Sequence, residues 1–250
     1  MIKVNNLVKS FNGVNAISDI SFEISAGEIC GYIGTNGAGK STTVKILTGA
    51  MDFDSGTVFV NNLNVKENPI EVKKIIGYVP ENANLFNSLT PFEYLEFIGK
   101  IFEIPENILK KRIDVFSQFF KFQEFLKQSL GVLSKGNRQK ILITSALLHN
   151  PEVIFFDEPL NGLDANAIFS FQDLTSELSK NGKTIFYCSH LLDMIEKISD
   201  KIILLDKGKI VVDSPTLELK KSDGYSNLEN LFKSLDKAET EKITFSDIYN

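Results

Sequence analysis

Residues 34–41 read Gly-Thr-Asn-Gly-Ala-Gly-Lys-Ser and fit the phosphate-binding pattern G-x-x-x-x-G-K-[ST]. Apolar residues 29–33 predict a buried strand before this loop, and residues 42–47 predict a helix after it. Glycines let backbone N–H groups turn inward around an anion, and the helix adds the positive end of its dipole. Lys40 supplies an ammonium for the outer phosphates, while the hydroxyl of Ser41 suits Mg²⁺. The residues predicted to contact a nucleoside triphosphate are Asn36, Gly37, Ala38, Gly39, Lys40, Ser41 and Thr42.

Composition narrows the setting of this loop. The chain has 250 residues, enough for a full core with or without a smaller lobe. Its net charge of −5 argues against a protein that coats nucleic acid, because neutralising phosphates needs a basic surface. Cys30 and Cys188 lie in apolar runs and are interpreted as buried thiols of a reduced compartment, with no disulfide. The apolar runs fall short of the roughly 20 residues of a membrane span, so we expect a cytoplasmic protein without membrane insertion.

The hydrophobic pattern predicts an α/β fold with appended subdomains. Alternation of apolar and polar residues up to Ile24 favours antiparallel strands. Strand-like residues 153–156, 184–188 and 201–205 alternate with helical stretches, which is typical of a parallel sheet. The prediction is a P-loop NTPase core with a mainly parallel sheet, an antiparallel β subdomain and a helical subdomain. The expected divisions are core and antiparallel β subdomain (1–81), helical subdomain (82–150), second part of the core (151–222), and C-terminal helix and tail (223–250).

The pattern of residues 82–132 predicts a helical stretch, and this stretch is rich in aromatic side chains. Its first long helix has a well-defined predicted start, with Thr90 as N-cap, Pro91 at the first helical position and Glu93 completing a capping box. Most of the phenylalanines are expected to pack in a core, and the rest to form a surface for a partner. A further helix is predicted over residues 135–149.

A second chemical feature follows the strand-like residues 153–156. Asp157 and Glu158 stand at the end of this strand, before a proline. A carboxylate at a strand end beside a phosphate loop is suited to Mg²⁺, and the next side chain can reach the attacking water. We therefore predict Asp157 as a metal residue and Glu158 as the catalytic base. Two solvated loop carboxylates are the alternative interpretation.

Residues 133–139 read Leu-Ser-Lys-Gly-Asn-Arg-Gln and resemble the Leu-Ser-Gly-Gly-Gln signature of the ATP-binding cassette (ABC) ATPases. Other elements of that family stand around it in the family's order. They are Phe11 at the adenine-stacking position, the phosphate loop, Asp157 with Glu158, the loop 160–164 that ends in Asp164, and Ser189-His190. The resemblance covers nearly the whole chain.

The resemblance implies a role for each matching residue. Phe11 would stack on adenine, although a core phenylalanine is the alternative. Ser134 and Gly136 would serve the nucleotide held by a second cassette, so that two copies enclose two ATP molecules; contact with the nucleotide of the same chain and an ordinary N-cap are the alternatives. Asp164, in the loop after the second carboxylate, is a further predicted nucleotide contact. His190 would contact the γ-phosphate or the attacking water, and with Lys40 and Glu158 it completes the predicted catalytic set. His149 is expected to be structural.

Two positions depart from the family pattern. Lys135 replaces the first glycine of the signature, and an added cation near phosphate is compatible with activity. Glu81, in the run Gly-Tyr-Val-Pro-Glu, stands where the family usually has glutamine. Its carboxylate can bind Mg²⁺ or nucleotide-bound water, but it adds negative charge near Asp157 and Glu158.

These features predict the ATP-hydrolysing subunit of an ABC transporter, with ATP and Mg²⁺ as cofactors. The Pro-Glu loop and the Ser-Lys-Gly signature resemble cassettes of exporters with separate membrane subunits. The expected partners are an integral membrane permease and a second cassette, with no nucleic acid, and the expected location is the inner face of the membrane through the permease. The alternatives are a non-transport ABC ATPase acting on DNA or ribosomes and a nucleotide sensor without turnover.

Overall fold

A computed structural model describes residues 1–82 and 85–236. This part of the chain forms ten strands: β1 (Ile2–Phe11), β2 (Val14–Ile24), β3 (Ile29–Gly34), β4 (Ser55–Val60), β5 (Leu63–Asn64), β6 (Ile76–Val79), β7 (Val153–Asp157), β8 (Thr184–Cys188), β9 (Lys201–Asp206) and β10 (Lys209–Pro215). Its α-helices are α1 (Lys40–Leu47), α2 (Pro69–Ile75), α3 (Pro91–Ile101), α4 (Glu106–Phe119), α5 (Lys135–Leu147), α6 (Ala165–Lys180), α7 (Leu192–Ile198), α8 (Thr216–Leu219) and α9 (Leu228–Asp236).

The central sheet has six strands in the order β10-β9-β3-β8-β7-β6. All its neighbours are parallel except the edge pair β9 and β10. Strands β3, β7 and β8 are buried along their whole length, as parallel strands covered on both faces must be. Because side chains alternate along a strand, Ile154 and Phe156 pack into one layer and Val153 and Phe155 into the other. The predicted α/β core with a mainly parallel sheet is confirmed.

A second sheet of four antiparallel strands, β2-β1-β4-β5, covers one face of the central sheet. Phe22 of β2 packs on Tyr32 and Phe186 with ring centroids 5.9 and 6.3 Å apart. Tyr32 and Phe186 themselves pack at 4.8 Å. Aromatic contacts therefore hold the predicted antiparallel subdomain against the core.

Helices α3, α4 and α5 pack on the opposite face. The Oγ1 of Thr90 accepts the N–H of Glu93, whose carboxylate accepts the N–H of Thr90, so the predicted capping box is present. Of the aromatic side chains, Tyr94, Phe120 and Phe122 are buried, as expected for packing. Others remain exposed on this helical region: Phe86, Phe97 and Phe119.

Some boundaries differ from the sequence prediction. The predicted strand from Ile75 begins one residue later, because residues 69–75 form α2, which the hydrophobic pattern did not reveal. Helix α5 ends at Leu147 instead of residue 149.

The predicted C-terminal helix is present as α9, and residues 237–250 of the predicted tail lie outside the described residues. Leu228 is fully buried, and its N–H donates to Glu196 of α7 at 2.8 Å. The helix therefore docks on the core of its own chain.

Candidate active site

The carboxyl ends of β3, β6, β7 and β8 meet at one edge of the central sheet, the usual position of ligand sites in open α/β sheets. A cavity of about 260 Å³, here named the edge cavity, lies at this edge. It brings together residues from all of the predicted catalytic and metal positions. Its lining consists of Ala16, Asn36, Gly37, Gly39, Lys40, Ser41, Thr42, Glu81, Asp157, Glu158 and His190.

The loop between β3 and α1 forms one wall of the edge cavity. Gly39 has a φ of 109°, and a Cβ there would lie 2.5 Å from the carbonyl oxygen of Ala16, so only glycine fits. The ammonium of Lys40 donates to the carbonyls of Gly34 at 2.7 Å and Thr35 at 3.0 Å. The loop thus holds the cation of Lys40 beside the N-terminus of α1, where two positive features favour an anion.

Asp157 ends strand β7 and is only 4% exposed. Burial, followed by the charges of Glu81 and Glu158, raises the pKa of Asp157 to about 6, and the Ser41 hydroxyl and Lys40 oppose this shift. A buried carboxylate beside a hydroxyl offers the hard oxygen donors that Mg²⁺ takes together with phosphate oxygens. Among the described residues there is no group of three or more His, Cys, Asp and Glu placed to hold a metal. Their hydroxyl and carboxylate oxygens make Ser41 and Asp157 fit a Mg²⁺ that is shared with a nucleotide.

Glu158 is 7% exposed and has a φ of 52°, a strained value for a residue with a side chain. Its backbone N–H donates to Cys188 of β8, and its Oε2 accepts the Ser189 hydroxyl at 3.2 Å. Its Oε1 lies 3.3 Å from Nε2 of His190. Burial raises the pKa of Glu158, against the opposing effect of His190. The strained backbone and these contacts aim the carboxylate into the edge cavity beside the imidazole.

Ser134, Gly136 and Asp164 do not line the edge cavity and form a second group, here named the α5 surface. Ser134 caps α5 by accepting the N–H of Asn137 at 3.2 Å. A Cβ on Gly136 would lie 2.4 Å from the carbonyl oxygen of Gly162, so the glycine allows α5 to approach that loop. Asp164 caps α6 through the N–H of Ala167 at 2.9 Å.

Two contacts connect the α5 surface with the loop that follows Glu158. Lys140 pairs with Asp164 at 3.3 Å. The side chain of Gln139, in turn, donates to the carbonyl of Pro159 at 2.9 Å. The start of α5 is therefore fastened to the chain segment that leaves the edge cavity.

Two other predicted nucleotide contacts lie outside the lining of the edge cavity. Phe11 is 44% exposed and lies at the tip of the β1–β2 hairpin, paired with Val14. It is not a core residue, which rules out the alternative interpretation of its ring. Ala38 is buried within the loop, where its backbone N–H donates to Thr35.

Sequence reasoning did not assign Ser189 and Ala16 to the site. Ser189 directly follows β8 and precedes His190, while Glu158 directly follows the neighbouring strand β7, so their contact was foreseeable once these two strands were placed side by side. Ala16 faces the loop only because β2 folds back beside it, and no residue type signals that approach. His149, predicted to be structural, donates from Nε2 to the Ile76 carbonyl at 2.9 Å and stacks on Phe102 with centroids 3.8 Å apart.

The model of the ABC transporter family matches residues 17–161, which include the phosphate loop, residues 133–139 and both strand-end carboxylates. The chain belongs to this family. NatA of Bacillus subtilis (strain 168), an ABC transporter ATP-binding protein, is 31% identical over 222 residues, which cover 88% of this chain and 90% of NatA. EcsA of the same organism, an ABC-type transporter ATP-binding protein, is 30% identical over 241 residues, covering 96% and 98%.

Solved structures agree with this assignment. A structure described as the ATP-binding subunit of an ABC transporter superposes with a TM-score of 0.89 at 27% identity, covering 94% of this chain and 99% of that chain. The dimeric structure of MJ0796, a bacterial ABC transporter cassette, gives a TM-score of 0.79 at 26% identity, covering 86% and 99%. This chain is therefore an ABC ATP-binding subunit that hydrolyses ATP. Within its described residues, no helix is both long enough and apolar enough to cross a membrane.

Proposed function

We propose that this ABC ATPase powers export through a separate membrane subunit and works as a pair of cassettes closed by ATP. The observation that carries this proposal is the edge cavity, where Lys40, Asp157, Glu158 and His190 meet. The attack of water on a γ-phosphate requires groups of these kinds: a cation, two carboxylates in different surroundings and an imidazole.

In this proposal Glu158 accepts the proton of the attacking water. Its raised pKa strengthens it as a base, and a base is most effective when its pKa approaches the operating pH. His190 lies 3.3 Å from this carboxylate and orients the water or the γ-phosphate. Ser41 and Asp157 would hold Mg²⁺, which when bound supplies charge neutralisation at the phosphate oxygens. Glu81, on the rim of the same cavity, would be a further ligand of the metal or of the nucleotide.

The adenine end of ATP is assigned to Phe11. The hairpin that carries Phe11 leads within a few residues to Ala16, which lines the edge cavity. An exposed aromatic ring on this hairpin offers a flat apolar face to a base.

The position of the α5 surface supports the proposed pairing of two cassettes. Ser134 and Gly136 stand at the N-terminus of α5, an anion-binding position, yet they lie outside the edge cavity of their own chain. The γ-phosphate of an ATP bound to a second copy would complete this surface. The dimeric MJ0796 cassette supports the arrangement by similarity.

The docking site proposed for the membrane subunit is a groove of about 560 Å³ between the core and helices α3 and α5. Aromatic and aliphatic side chains dominate its lining, among them Tyr78, Tyr94, Ile98 and Phe102. The groove meets a second cavity of about 400 Å³ at Asn82, Leu85 and Leu142, and that cavity contains Glu81. Glu81 also lines the edge cavity, so one side chain borders both the nucleotide and the approach to the groove.

Export is the proposed direction. Linearmycin resistance ATP-binding protein LnrL of Bacillus subtilis (strain 168), 31% identical over 84% of this chain and 68% of LnrL, supports it by its named role in resistance. The membrane subunit would hold the chain at the inner face of the membrane. Action on DNA or ribosomes is not favoured, since the chain is acidic overall.

Glu158→Gln tests the proposal. It should abolish ATP turnover, keep ATP binding and accumulate an ATP-bound dimer that light scattering after size exclusion detects. Glu177→Gln on α6 is the matched control and should behave as the wild type. Turnover near the wild-type rate would remove Glu158 from the mechanism, and a monomer at saturating ATP would refute the pairing. ATP-dependent export from cells that carry the co-purifying membrane subunit tests the direction.

A further inference from the structure

The hairpin tip that carries Phe11 is held by a cluster formed by Lys9 and Ser10 of its own strand and by Asp54. The Nζ of Lys9 lies over the Phe11 ring, 5.3 Å from its centroid, within the range of a cation–π interaction. The Lys9 side chain is only 16% exposed although it stands near the tip of a hairpin. The covered side chain and the contact with the ring restrict the positions that the Lys9 ammonium can take.

Asp54, just before β4, supplies the anchor. Its carboxylate accepts three donors: the Lys9 ammonium at 3.2 Å, the Ser10 N–H at 2.7 Å and the Ser10 hydroxyl at 2.6 Å. The backbone N–H of Asp54 also donates to the carbonyl of Val8 at 3.0 Å. The hydrogen bonds from Ser10 and then Lys9 lower the pKa of Asp54, so the carboxylate stays charged at neutral pH.

We propose that Lys9 and Asp54 are positioning residues that hold the Phe11 ring ready for the base of the nucleotide. The inference rests on the proposed role of Phe11 in binding adenine. A ring whose orientation is set before binding loses less conformational freedom when a base stacks on it, which increases affinity. Neither Lys9 nor Asp54 lines the edge cavity, so their effect concerns the base and leaves the phosphates and the chemistry unchanged.

Lys9→Met tests this proposal, because methionine keeps the length of the side chain and removes the charge. We expect the dissociation constant for ADP to rise about two- to fivefold, the range of one exposed cation–π contact. The dissociation constant for pyrophosphate, which has no base, should stay unchanged, and titration calorimetry measures both. In turnover assays KM for ATP should rise while kcat stays constant. Lys9→Arg should retain the wild-type affinity for ADP, since a guanidinium keeps the charge and stacks on aromatic rings.

A matched control is available elsewhere in the chain. Lys66 lies over the ring of Phe53 at 5.6 Å, away from the edge cavity, and Lys66→Met should leave the affinity for ADP unchanged. Asp54→Asn should weaken ADP binding to a similar degree as Lys9→Met. The double variant should be no weaker than the single ones, because both changes break one cluster.

The outcomes separate this inference from the proposed function. If Phe11→Ala weakens ADP binding and Lys9→Met does not, the positioning role is refuted and the adenine site stands. An equal loss for ADP and pyrophosphate in Lys9→Met also refutes it, since Lys9 would then act on phosphate. If Phe11→Ala leaves ADP binding unchanged, the adenine site itself is wrong and the inference falls with it. Thermal unfolding of each variant shows whether the fold is retained.

Discussion

The edge cavity and the α5 surface both carry groups suited to phosphate, but these groups are buried in the edge cavity and exposed on the α5 surface. Within the edge cavity Lys40, Asp157 and Glu158 are all less than one tenth exposed and contact other groups of the same chain. On the α5 surface Ser134 is exposed, and the side chain of Asp164 is 60% exposed. Burial in the cavity shifts pKa values and holds charges for chemistry. Exposure on the α5 surface leaves a helix N-terminus accessible to a ligand from outside the chain.

Lys40→Ala should have the largest effect on function, and it changes only the edge cavity. Charged hydrogen bonds from this ammonium to phosphate oxygens would each be worth about 1.5–3 kcal/mol, so the affinity for ATP should fall by about a hundredfold. Binding of a fluorescent ATP analogue measures it. Lys45→Ala, an exposed lysine on the same helix, is the control. Affinity within a factor of three of the wild type would show that the loop binds phosphate by its backbone alone.

His190→Ala separates chemistry from binding within the same cavity. Loss of a group that orients water or proton transfer should lower kcat about a hundredfold while the dissociation constant for ATP stays unchanged. Steady-state turnover and equilibrium binding together measure this. Asp193→Asn, an exposed change on α7, should leave both unaltered. An unchanged kcat would give His190 a structural role only.

Gly136→Ala tests the α5 surface in the same way. The added Cβ would lie 2.4 Å from the Gly162 carbonyl, so the free energy of unfolding should fall by about 1–3 kcal/mol. ATP binding to the monomer should remain normal, because the edge cavity is not touched, whereas ATP-driven pairing should weaken. Denaturant unfolding and light scattering give the two readouts. Asn137→Ala, at the next residue, serves as control. If Gly136→Ala weakened ATP binding to the monomer as much as it weakened pairing, the separation of the two regions would be contradicted.

His149→Phe should have the smallest effect and lies apart from both regions. Burial lowers the pKa of His149, so its protonation is resisted in the folded state. The stability this provides is present above the unfolded pKa of about 6.5 and is lost as pH falls below that value. Phenylalanine keeps a ring against Phe102 but does not titrate. Unfolding temperatures from pH 7.5 to 5.0 should therefore fall less steeply in the variant, and parallel slopes would contradict this.

Sequence patterns predicted those structural elements that depend on residues close to one another in the chain. The capping box at Thr90 and Glu93 and the strand 184–188 could be recognised because capping and burial depend on neighbouring residues. Helix α2 was missed, because its seven residues carry a single buried side chain, Val72, and no apolar period. The pairing of Lys140 with Asp164 joins residues 24 positions apart and has no signal in either segment.

The sequence alone determined that a phosphate-loop pattern ends at Lys40 and Ser41, that two carboxylates follow a buried strand, and that the chain resembles ABC ATPases. These conclusions rest on residue types at short, fixed spacings. Only the tertiary structure decided that Glu158 is buried against Ser189 and His190, and that Gly136 faces Gly162 outside the cavity. The reason is that strand order and helix packing bring distant segments together, and burial, which shifts the pKa values, exists only after they meet.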